Sequence, residues 1–206
     1  ARKLVLKTGS AVVPGTTEPL TSINNAKETA REIGYPILIK AAGGGGGKGM
    51  RIIHSENDLK NIISQAKSEA KKAFADDRIY LEKYLEEPHH IEIQVFADNH
   101  GNVVSLGERE CSIQRRYQKI IEETPSPFID DKLRLELSKT AIHITKSCDY
   151  SGAGTVEFLV DKHKNSYFLE MNTRLQVEHP ITEMVNGIDL VKEQIRVAGR
   201  GKLSFT

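Results

Sequence analysis

The segment YPILIKAAGGGGGKGMRIIH, residues 35–54, sets the interpretation of the whole chain. The apolar run at residues 35–41 is entered through a proline and has the length of a buried strand, and residues 50–54 have the composition of a second short strand. Five consecutive glycines, Gly43–Gly47, lie between the two runs. A strand, a glycine loop and a second strand together predict a β-hairpin whose tip exposes consecutive backbone N–H groups.

This glycine loop fits neither of two familiar phosphate-binding motifs. A Walker A loop requires glycine at position 42 and serine or threonine at position 49, whereas this chain has Ala42 and Gly49. The dinucleotide-binding pattern GxGxxG matches residues 44–49, but that motif opens a helix and a strand follows here. The hairpin can still fold over a polyphosphate, because glycine allows the backbone to approach closely. The alternative is a flexible linker, which is what most glycine runs are.

The surroundings of the loop favour the phosphate-binding lid over the linker. Two short apolar strands flank the glycines, and a lysine stands on each side. Lys40 is the better candidate for a phosphate ligand because a rigid strand aims it, while Lys48 is also consistent with a solvated charge.

The rest of the chain mixes helices with hairpins, which predicts an α+β fold with antiparallel sheets and flanking helices. Helical periodicity and strand-like runs are assigned to separate segments. The expected helices cover residues 21–33, 55–75, 130–148, 182–186 and 189–198, and the expected strands cover residues 78–84, 90–97, 102–107, 155–161 and 166–172.

The linker-like sequence Glu86-Glu87-Pro88 indicates a boundary between two lobes. We expect a smaller lobe at residues 13–84, which carries the glycine lid, and a larger lobe at residues 85–206. Residues 1–12 are expected to be the tail of a linker helix from a preceding domain.

Composition and charge exclude several classes of protein. The 206 residues contain 29 lysines and arginines and 28 aspartates and glutamates, so the net charge of +1 gives no whole-chain support for nucleic-acid binding. No apolar run approaches the roughly 20 residues that span a bilayer. The two cysteines, Cys111 and Cys148, form no CxxC motif, which favours a reducing, cytoplasmic setting, and Cys111 is expected in the core.

The hairpin at residues 155–172 predicts a cation site. It places Glu157 opposite Glu170 and puts Asn172 on the same face. Two carboxylates and an amide suit Mg²⁺, which would relieve their repulsion; the alternative is a solvated sheet face. The same register places Leu159 opposite Phe168 and Asp161 opposite Ser166. The opposite face is expected to be core and carries Val156, Phe158, Val160, Tyr167, Leu169 and Met171.

Two further segments carry charged groups. Residues 172–180, NTRLQVEHP, offer Arg174 for bidentate binding of a planar oxyanion and a carboxylate that could take a proton; the alternative is an irregular polar loop. Residues 109–123 contain Arg115, Arg116 and Lys119, which predict either a cationic lining or a surface charge cluster.

Together these residues resemble the ATP-grasp domain of biotin carboxylases, as found in acetyl-CoA, propionyl-CoA, methylcrotonyl-CoA and pyruvate carboxylases. The motifs YPILIKAAGGGGGKGMRI, EKYLEEPHHIEIQV, ERECSIQRRYQK and EMNTRLQVEHPITE all occur in the order of that family. The resemblance implies an ATP-grasp fold whose glycine hairpin closes over ATP between a small and a large lobe.

The resemblance also implies roles for individual residues. Glu178 would be the catalytic base, assisted by Arg174 and Lys119. The nucleotide-binding residues implied are Lys40, Gly44, Gly45, Gly46, Gly47, Met50, Glu82, Lys83, Leu85, His90 and Gln114. The Mg²⁺ (or Mn²⁺) ligands implied are Glu157, Glu170 and Asn172, and the bicarbonate pocket implied consists of Arg174, Gln176, Val177 and Glu178.

The implied reaction converts ATP and bicarbonate to carboxyphosphate and then carboxylates biotin on a carrier protein. A biotin carboxyl carrier protein or domain, a carboxyltransferase subunit or domain, and a homo-oligomeric enzyme are the implied partners, in the cytoplasm or the mitochondrial matrix; nucleic acid and membrane are not. Family members hold another phosphate lysine in a preceding domain and a biotin-assisting arginine in a following segment. Tyr117 stands where many members have histidine.

Two other functions remain open. Another ATP-grasp ligase that makes carboxyphosphate, such as a carbamoyl phosphate synthetase, would depend on ammonia instead of biotin. A non-catalytic ATP-binding module would bind nucleotide without bicarbonate-dependent turnover.

Overall fold

The computed structural model describes residues 2–44 and 48–205, which form two compact units. The smaller unit consists of residues 13–86 and 116–118, and the larger unit consists of residues 2–12, 87–115 and 119–205. Gly45, Gly46 and Gly47, at the centre of the expected lid, lie outside the described residues.

Six helices and eight strands are present in the described part of the chain. The helices are α1 (Arg2–Lys7), α2 (Ile23–Ile33), α3 (Glu56–Phe74), α4 (Asp131–Ser147), α5 (His179–Asn186) and α6 (Leu190–Ala198). The strands are β1 (Ile37–Ala41), β2 (Met50–Ile53), β3 (Ile79–Lys83), β4 (His89–Ala97), β5 (Val103–Arg115), β6 (Gln118–Glu123), β7 (Gly152–Val160) and β8 (Ser166–Asn172). None of the described helices is both long enough and apolar enough to span a membrane.

The smaller unit is an antiparallel sheet of order β2-β1-β3 with α2 and α3 packed on it. The β-hairpin expected around the glycine run is confirmed, because β1 pairs with β2 and Lys40 lies opposite Met50. Ser22 caps α2 by accepting a hydrogen bond from the backbone N–H of Asn25, and Gly34 ends the helix with a φ of 78°. The apolar stripes of both helices therefore cover the buried face of β1, where Ile37 and Ile39 are fully buried.

The larger unit is an antiparallel sheet of order β6-β5-β4-β7-β8. Its central strand β4 is buried on both faces. Ile91, Ile93 and Val95 pack on one face in a core that includes residues of α4, and Val5 of α1 joins that core. The opposite face of the strand carries Glu92 and Gln94, which are also fully buried. The sheet therefore has an apolar side and a side with buried polar groups.

The structure confirms the facing of Glu157 and Glu170 but corrects the rest of that register. A β-bulge follows this pair, so Phe158 lies opposite Phe168 and Leu159 opposite Tyr167. The extra residue, Leu169, reverses the alternation along β8. The expected pairs Leu159–Phe168 and Asp161–Ser166 are therefore wrong. Phe168 enters the core, while Tyr167 and Leu169, expected there, are only partly buried.

The predictions of one strand and one helix were also wrong in extent. The strand expected at residues 102–107 continues to Arg115, and β6 follows it, so the charged segment at residues 109–123 is mostly a β-hairpin. The helix expected at residues 182–186 begins at His179, with a proline in its first turn. Cys111 is buried, as predicted.

Candidate active site

Buried polar side chains cluster on one face of the larger sheet, and Glu157 of β7 lies at their centre. Glu157 is 3% exposed. Its Oε2 accepts a hydrogen bond from Nε2 of His90 at 2.7 Å, and its Oε1 accepts from the side-chain amides of Asn172 at 2.5 Å and Gln176 at 2.9 Å. Burial alone would raise the pKa of this carboxyl, but the hydrogen bond from His90 and the charge of Lys119 lower it below its usual range. Glu157 is therefore held as a carboxylate.

Lys119 of β6 brings three carboxylates together. Its Nζ lies 2.6 Å from Oε1 of Glu178 and 3.3 Å from Oε1 of Glu157, and it also contacts Oε1 of Glu92. Burial alone would raise the pKa of Glu178, but the hydrogen bond from Lys119, a backbone hydrogen bond and the charges of Lys119 and Arg109 together lower it. One ammonium group thus offsets the repulsion between carboxylates that lie close together.

Glu92 was not predicted as a site residue, although it is fully buried within the cluster. Antiparallel pairing of β4 with β7 places it directly opposite Glu157. The available signal was the spacing from His90. Glu92 stands two residues after this predicted site residue, and side chains two residues apart lie on the same face of a strand. Finding the pair from sequence required knowing that β4 and β7, about 60 residues apart, are neighbours.

The arrangement of donors fits a divalent cation. Among the described residues, ligand atoms of His90, Glu92 and Glu157 all lie within 4.8 Å of one another. Carboxylate oxygens suit Mg²⁺ or Mn²⁺. Of the three predicted ligands, Glu157 and Asn172 belong to the hydrogen-bonded cluster, whereas the Glu170 side chain is exposed beside it.

The loop between β8 and α5 carries the predicted oxyanion pocket. Gln176 is buried, whereas Arg174 is exposed and donates to Oδ1 of Asn172 at 3.3 Å. Val177 is 91% exposed, and Glu178 is the half-buried residue that precedes the first turn of α5. Four groups that can bind or deprotonate a small oxyanion are therefore presented within five residues, between the ends of a strand and a helix.

Arg109 of β5 was also missed as a site residue, and it is fully buried. The predicted cationic lining of residues 109–123 included Arg115, Arg116 and Lys119 but not Arg109. A single buried arginine has no local signature, since its acceptors come from four other segments. These acceptors are the side-chain oxygens of Glu92, Gln94, Thr155, Gln176 and Thr182.

Two predicted nucleotide-binding residues lie beside this cluster. Nε2 of Gln114 is 3.0 Å from Nδ1 of His90 and also donates to the backbone oxygen of Cys111 at 2.7 Å. The backbone N–H of His90 donates to Oγ of Ser112 at 2.8 Å. The imidazole of His90 is thus fixed between Gln114 and Glu157.

The remaining predicted nucleotide residues that the structure describes belong to the smaller unit. Lys40 forms an ion pair with Glu82, and Leu85 is partly buried. Nζ of Lys83 donates to the backbone oxygens of Gly34 at 3.0 Å and Tyr35 at 2.9 Å, so this cation stabilises the carboxyl end of α2. Gly44 must be glycine, because an added Cβ would lie 2.4 Å from the backbone oxygen of Lys48.

Comparison with known proteins identifies close relatives. A family model described as the ATP-binding domain of the carbamoyl-phosphate synthase L chain matches residues 1–206. Biotin carboxylase of Haemophilus influenzae is 52% identical over 206 residues, which are 100% of this chain and 46% of that protein. The propionyl-CoA carboxylase alpha chain of Ruegeria pomeroyi is 50% identical over 206 residues, again 100% of this chain but 30% of that protein.

Solved structures give the same result. A biotin carboxylase–beta-gamma-ATP complex from Campylobacter jejuni superposes with a TM-score of 0.94 at 50% identity, over 98% of this chain and 46% of that one. The biotin carboxylase domain of 2-oxoglutarate carboxylase from Hydrogenobacter thermophilus, in complex with MgADP, ADP and bicarbonate, has a TM-score of 0.93 at 46% identity, over 99% of this chain and 45% of that one. The chain spans less than half the length of these relatives.

Proposed function

Since this chain belongs to the family of ATP-binding domains described for the carbamoyl-phosphate synthase L chain, and since it is 52% identical to one biotin carboxylase and 50% identical to another, we propose that it is the ATP-grasp part of a biotin carboxylase. The proposed reaction uses ATP to activate bicarbonate as carboxyphosphate and then carboxylates biotin on a carrier protein. The observation that carries the proposal is the contact of Lys119 with Glu92, Glu157 and Glu178, beside the loop that presents Gln176 and Arg174.

In this proposal the β8–α5 loop binds bicarbonate. Arg174 offers a guanidinium, Gln176 an amide and Val177 a backbone N–H, which are donors suited to a planar oxyanion. Glu178 is assigned as the base, with Lys119 and Arg174 as the other catalytic groups. While Lys119 donates to Glu178, that carboxylate is a weak base, so transfer of the ammonium to a substrate oxygen would increase its basicity.

Mg²⁺ or Mn²⁺ is the cation that the acidic part of the cluster would hold. Glu157, Glu170 and Asn172 remain the proposed ligands, and Glu92 lies close enough to Glu157 to join them. A bound cation would neutralise phosphate charge as ATP reacts. The chain's own contribution is to keep Glu157 ionised through His90 and Lys119.

The proposed nucleotide contacts are Lys40, Gly44, Gly45, Gly46, Gly47, Met50, Glu82, Lys83, Leu85, His90 and Gln114. For Lys40 and Lys83 this role requires their present partners, Glu82 and the end of α2, to give way or to share the cation. The proposed partners are a biotin carboxyl carrier protein or domain, a carboxyltransferase subunit or domain, and further copies of the enzyme.

The substitution Glu178→Ala in the full-length enzyme tests this function. Loss of a general base should lower bicarbonate-dependent ATP cleavage by roughly 100-fold or more while the affinity for MgATP changes little. The exposed residue Glu136 on α4 supplies the control, because Glu136→Ala removes an equal charge from another surface. Weakened MgATP binding with normal turnover would contradict the assignment of Glu178.

The same assay separates the alternative functions. Biotin-dependent cleavage of ATP by the unsubstituted enzyme would support the proposal. Cleavage that requires ammonia and ignores biotin would instead assign a carbamoyl phosphate synthetase, which the description of the matching family model favours. Nucleotide binding without any bicarbonate-dependent cleavage would indicate a non-catalytic module.

A further inference from the structure

Arg109 has every N–H group of its guanidinium within reach of an acceptor. Nη1 donates to Oε1 of Gln94 at 2.7 Å and to Oγ1 of Thr182 at 2.9 Å. Nη2 lies 2.9 Å from Oε1 of Gln176 and 3.2 Å from Oγ1 of Thr155. Five donors in a planar fork are a property of arginine alone, so lysine could satisfy only part of this set.

The contact with Gln176 determines how that side-chain amide is oriented. Its oxygen faces the guanidinium of Arg109, so its nitrogen must face the other way, where it donates to Oε1 of Glu157 at 2.9 Å. The reversed amide would direct N–H groups at a cation and an oxygen at a carboxylate. Arg109 therefore permits one of the two orientations of this amide.

Arg109 and Lys119 contact different oxygens of the Glu92 carboxylate. Oε2 accepts from Nη2 of Arg109 at 3.2 Å and from Nε at 3.4 Å, which leaves Oε1 to Lys119. Glu92 and Arg109 are both fully buried, and each compensates the charge of the other. The position of Lys119 thus depends partly on a residue that it does not touch.

We propose that Arg109 is a positioning residue for bicarbonate, which acts by orienting the Gln176 amide from behind the site. This inference rests on the proposed function, in which Gln176 binds bicarbonate. It assigns Arg109 no contact with substrate. A positioning role predicts that loss of the arginine weakens bicarbonate binding selectively, whereas a role in folding alone would reduce the amount of active enzyme without changing KM.

The test compares Arg109→Lys, Gln176→Ala and the double variant in the full-length enzyme. Arg109→Lys keeps the buried charge but cannot hold all acceptors, so the KM for bicarbonate should rise about 10-fold, while the KM for MgATP should change less than about threefold. Because Arg109 is proposed to act through Gln176, the double variant should be no more than about twofold worse than Gln176→Ala alone.

Arg134 supplies the matched control. It forms an ion pair at 2.7 Å with the buried Glu108 in the same unit and contacts none of the proposed site residues that the structure describes, so Arg134→Lys perturbs another arginine–glutamate pair, although Arg134 is more exposed than Arg109. The KM for bicarbonate should stay at the wild-type value in that variant. An unchanged KM in Arg109→Lys, or effects of Arg109→Lys and Gln176→Ala that multiply, would overturn the proposal.

A second comparison keeps the inference testable if Arg109→Lys does not fold. Glu92→Gln with Arg109→Gln removes both buried charges together, and this double variant is compared with Glu92→Gln alone. The same rise in the KM for bicarbonate is expected, and its absence would overturn the proposal. Failure of the proposed function is distinguishable, because the unsubstituted enzyme would then show no bicarbonate-dependent ATP cleavage at all.

Discussion

Glu157 and Glu170 face each other across two strands, yet their surroundings differ. Glu157 is buried and accepts hydrogen bonds from His90, Asn172 and Gln176, whereas the Glu170 side chain is exposed. A buried charged acceptor stabilises the fold through its donors, while an exposed carboxylate that faces a like charge contributes little. Glu157 should therefore contribute more to the stability of the fold than Glu170, although both are proposed metal ligands.

Substitution of these glutamates by glutamine should separate stability from catalysis. Glu157→Gln should lower the free energy of unfolding by about 2 kcal/mol, because the donors lose a charged acceptor. Glu170→Gln should change it by less than about 0.5 kcal/mol, or raise it slightly through relief of repulsion. Both should abolish Mg²⁺-dependent ATP cleavage in the full-length enzyme. Urea unfolding and an ATP cleavage assay provide the two measurements.

Either measurement can contradict this interpretation. Normal ATP cleavage by Glu170→Gln would mean that the two-glutamate metal site is wrong. Equal stability of the two variants would mean that the hydrogen bonds to Glu157 do not stabilise the fold.

The loop that joins β1 to β2 contains a position, Gly49, whose backbone conformation and close contacts favour glycine. Gly49 has a φ of 77°, and an added Cβ would lie 2.9 Å from Cβ of Ala41 and 3.2 Å from the ring of Phe74. Gly34, at the end of α2, has a φ of 78° but nothing within 4 Å of an added Cβ. The two glycines thus share the cost of a positive φ and differ in steric contact.

Comparison of Gly49→Ala with Gly34→Ala isolates that contact. Both substitutions pay for the left-handed conformation, and Gly49→Ala should lose about 1–3 kcal/mol more because the hairpin must shift away from Phe74. Urea unfolding measures the difference. Equal losses would show that the base of the hairpin adapts to a side chain without strain.

The turn between β4 and β5 is hydrogen-bonded to Leu203, near the end of the described chain. The carboxylate of Asp98 accepts hydrogen bonds from the backbone N–H groups of His100 at 2.8 Å, Asn102 at 3.0 Å and Leu203 at 3.1 Å, and from the side chain of Asn102 at 2.7 Å. Burial alone would raise the pKa of Asp98, but these hydrogen bonds outweigh burial and lower it to about 2. One carboxylate therefore organises the turn and holds residue 203 against it.

The lowered pKa predicts a pH-dependent contribution to stability. Because the folded pKa is about 2 and the ordinary value is 3.8, the contribution should be fully present above about pH 4 and should be lost as the pH falls towards 2. Asp98→Ala should therefore cost about 2 kcal/mol at pH 7, and its difference from wild type should shrink in acid. Thermal unfolding between pH 2 and 7, with the exposed Asp77→Ala as control, measures this. A difference that does not depend on pH would contradict the assignment.

The chain as a whole corresponds to part of its relatives, which are more than twice as long. The family resemblance implies a further phosphate lysine and a biotin-assisting arginine that are not among these 206 residues. The larger unit nevertheless contains the residues proposed as the base, the bicarbonate loop and the metal ligands. The site is thus expected to be chemically incomplete within this chain.

Residues 1–206 alone should bind MgATP weakly and should not carboxylate biotin. Loss of a charged partner of the transition state typically costs about 3 kcal/mol or more, which is over a hundredfold in rate. An assay with free biotin, bicarbonate and MgATP, run beside the full-length enzyme, tests this expectation. Comparable carboxylation by the two proteins would show that the site is complete within residues 1–206.

Local patterns in the sequence were sufficient to predict most of the elements, although not their full extent. Apolar periodicity located most helices and strands, and glycine between two apolar runs located the hairpin of β1 and β2. The assumed centre of the hairpin placed Glu157 opposite Glu170, but the strands pair one residue out of that register near the turn, and the bulge at Leu169 restores the facing. The family resemblance, carried by contiguous motifs, was confirmed by the comparisons.

Features that depend on contacts between distant segments could not be predicted from local sequence patterns. The bulge at Leu169 reverses which side chains of β8 are buried, and its cause lies in how two strands pair and pack, not in the residue types. Glu92 reaches Glu157 only because β4 lies beside β7, and Arg109 is held by acceptors from four segments. A charged group can be buried only where tertiary structure supplies its partners. Because the local sequence does not show those partners, Glu92 and Arg109 could not be distinguished from solvent-exposed charges.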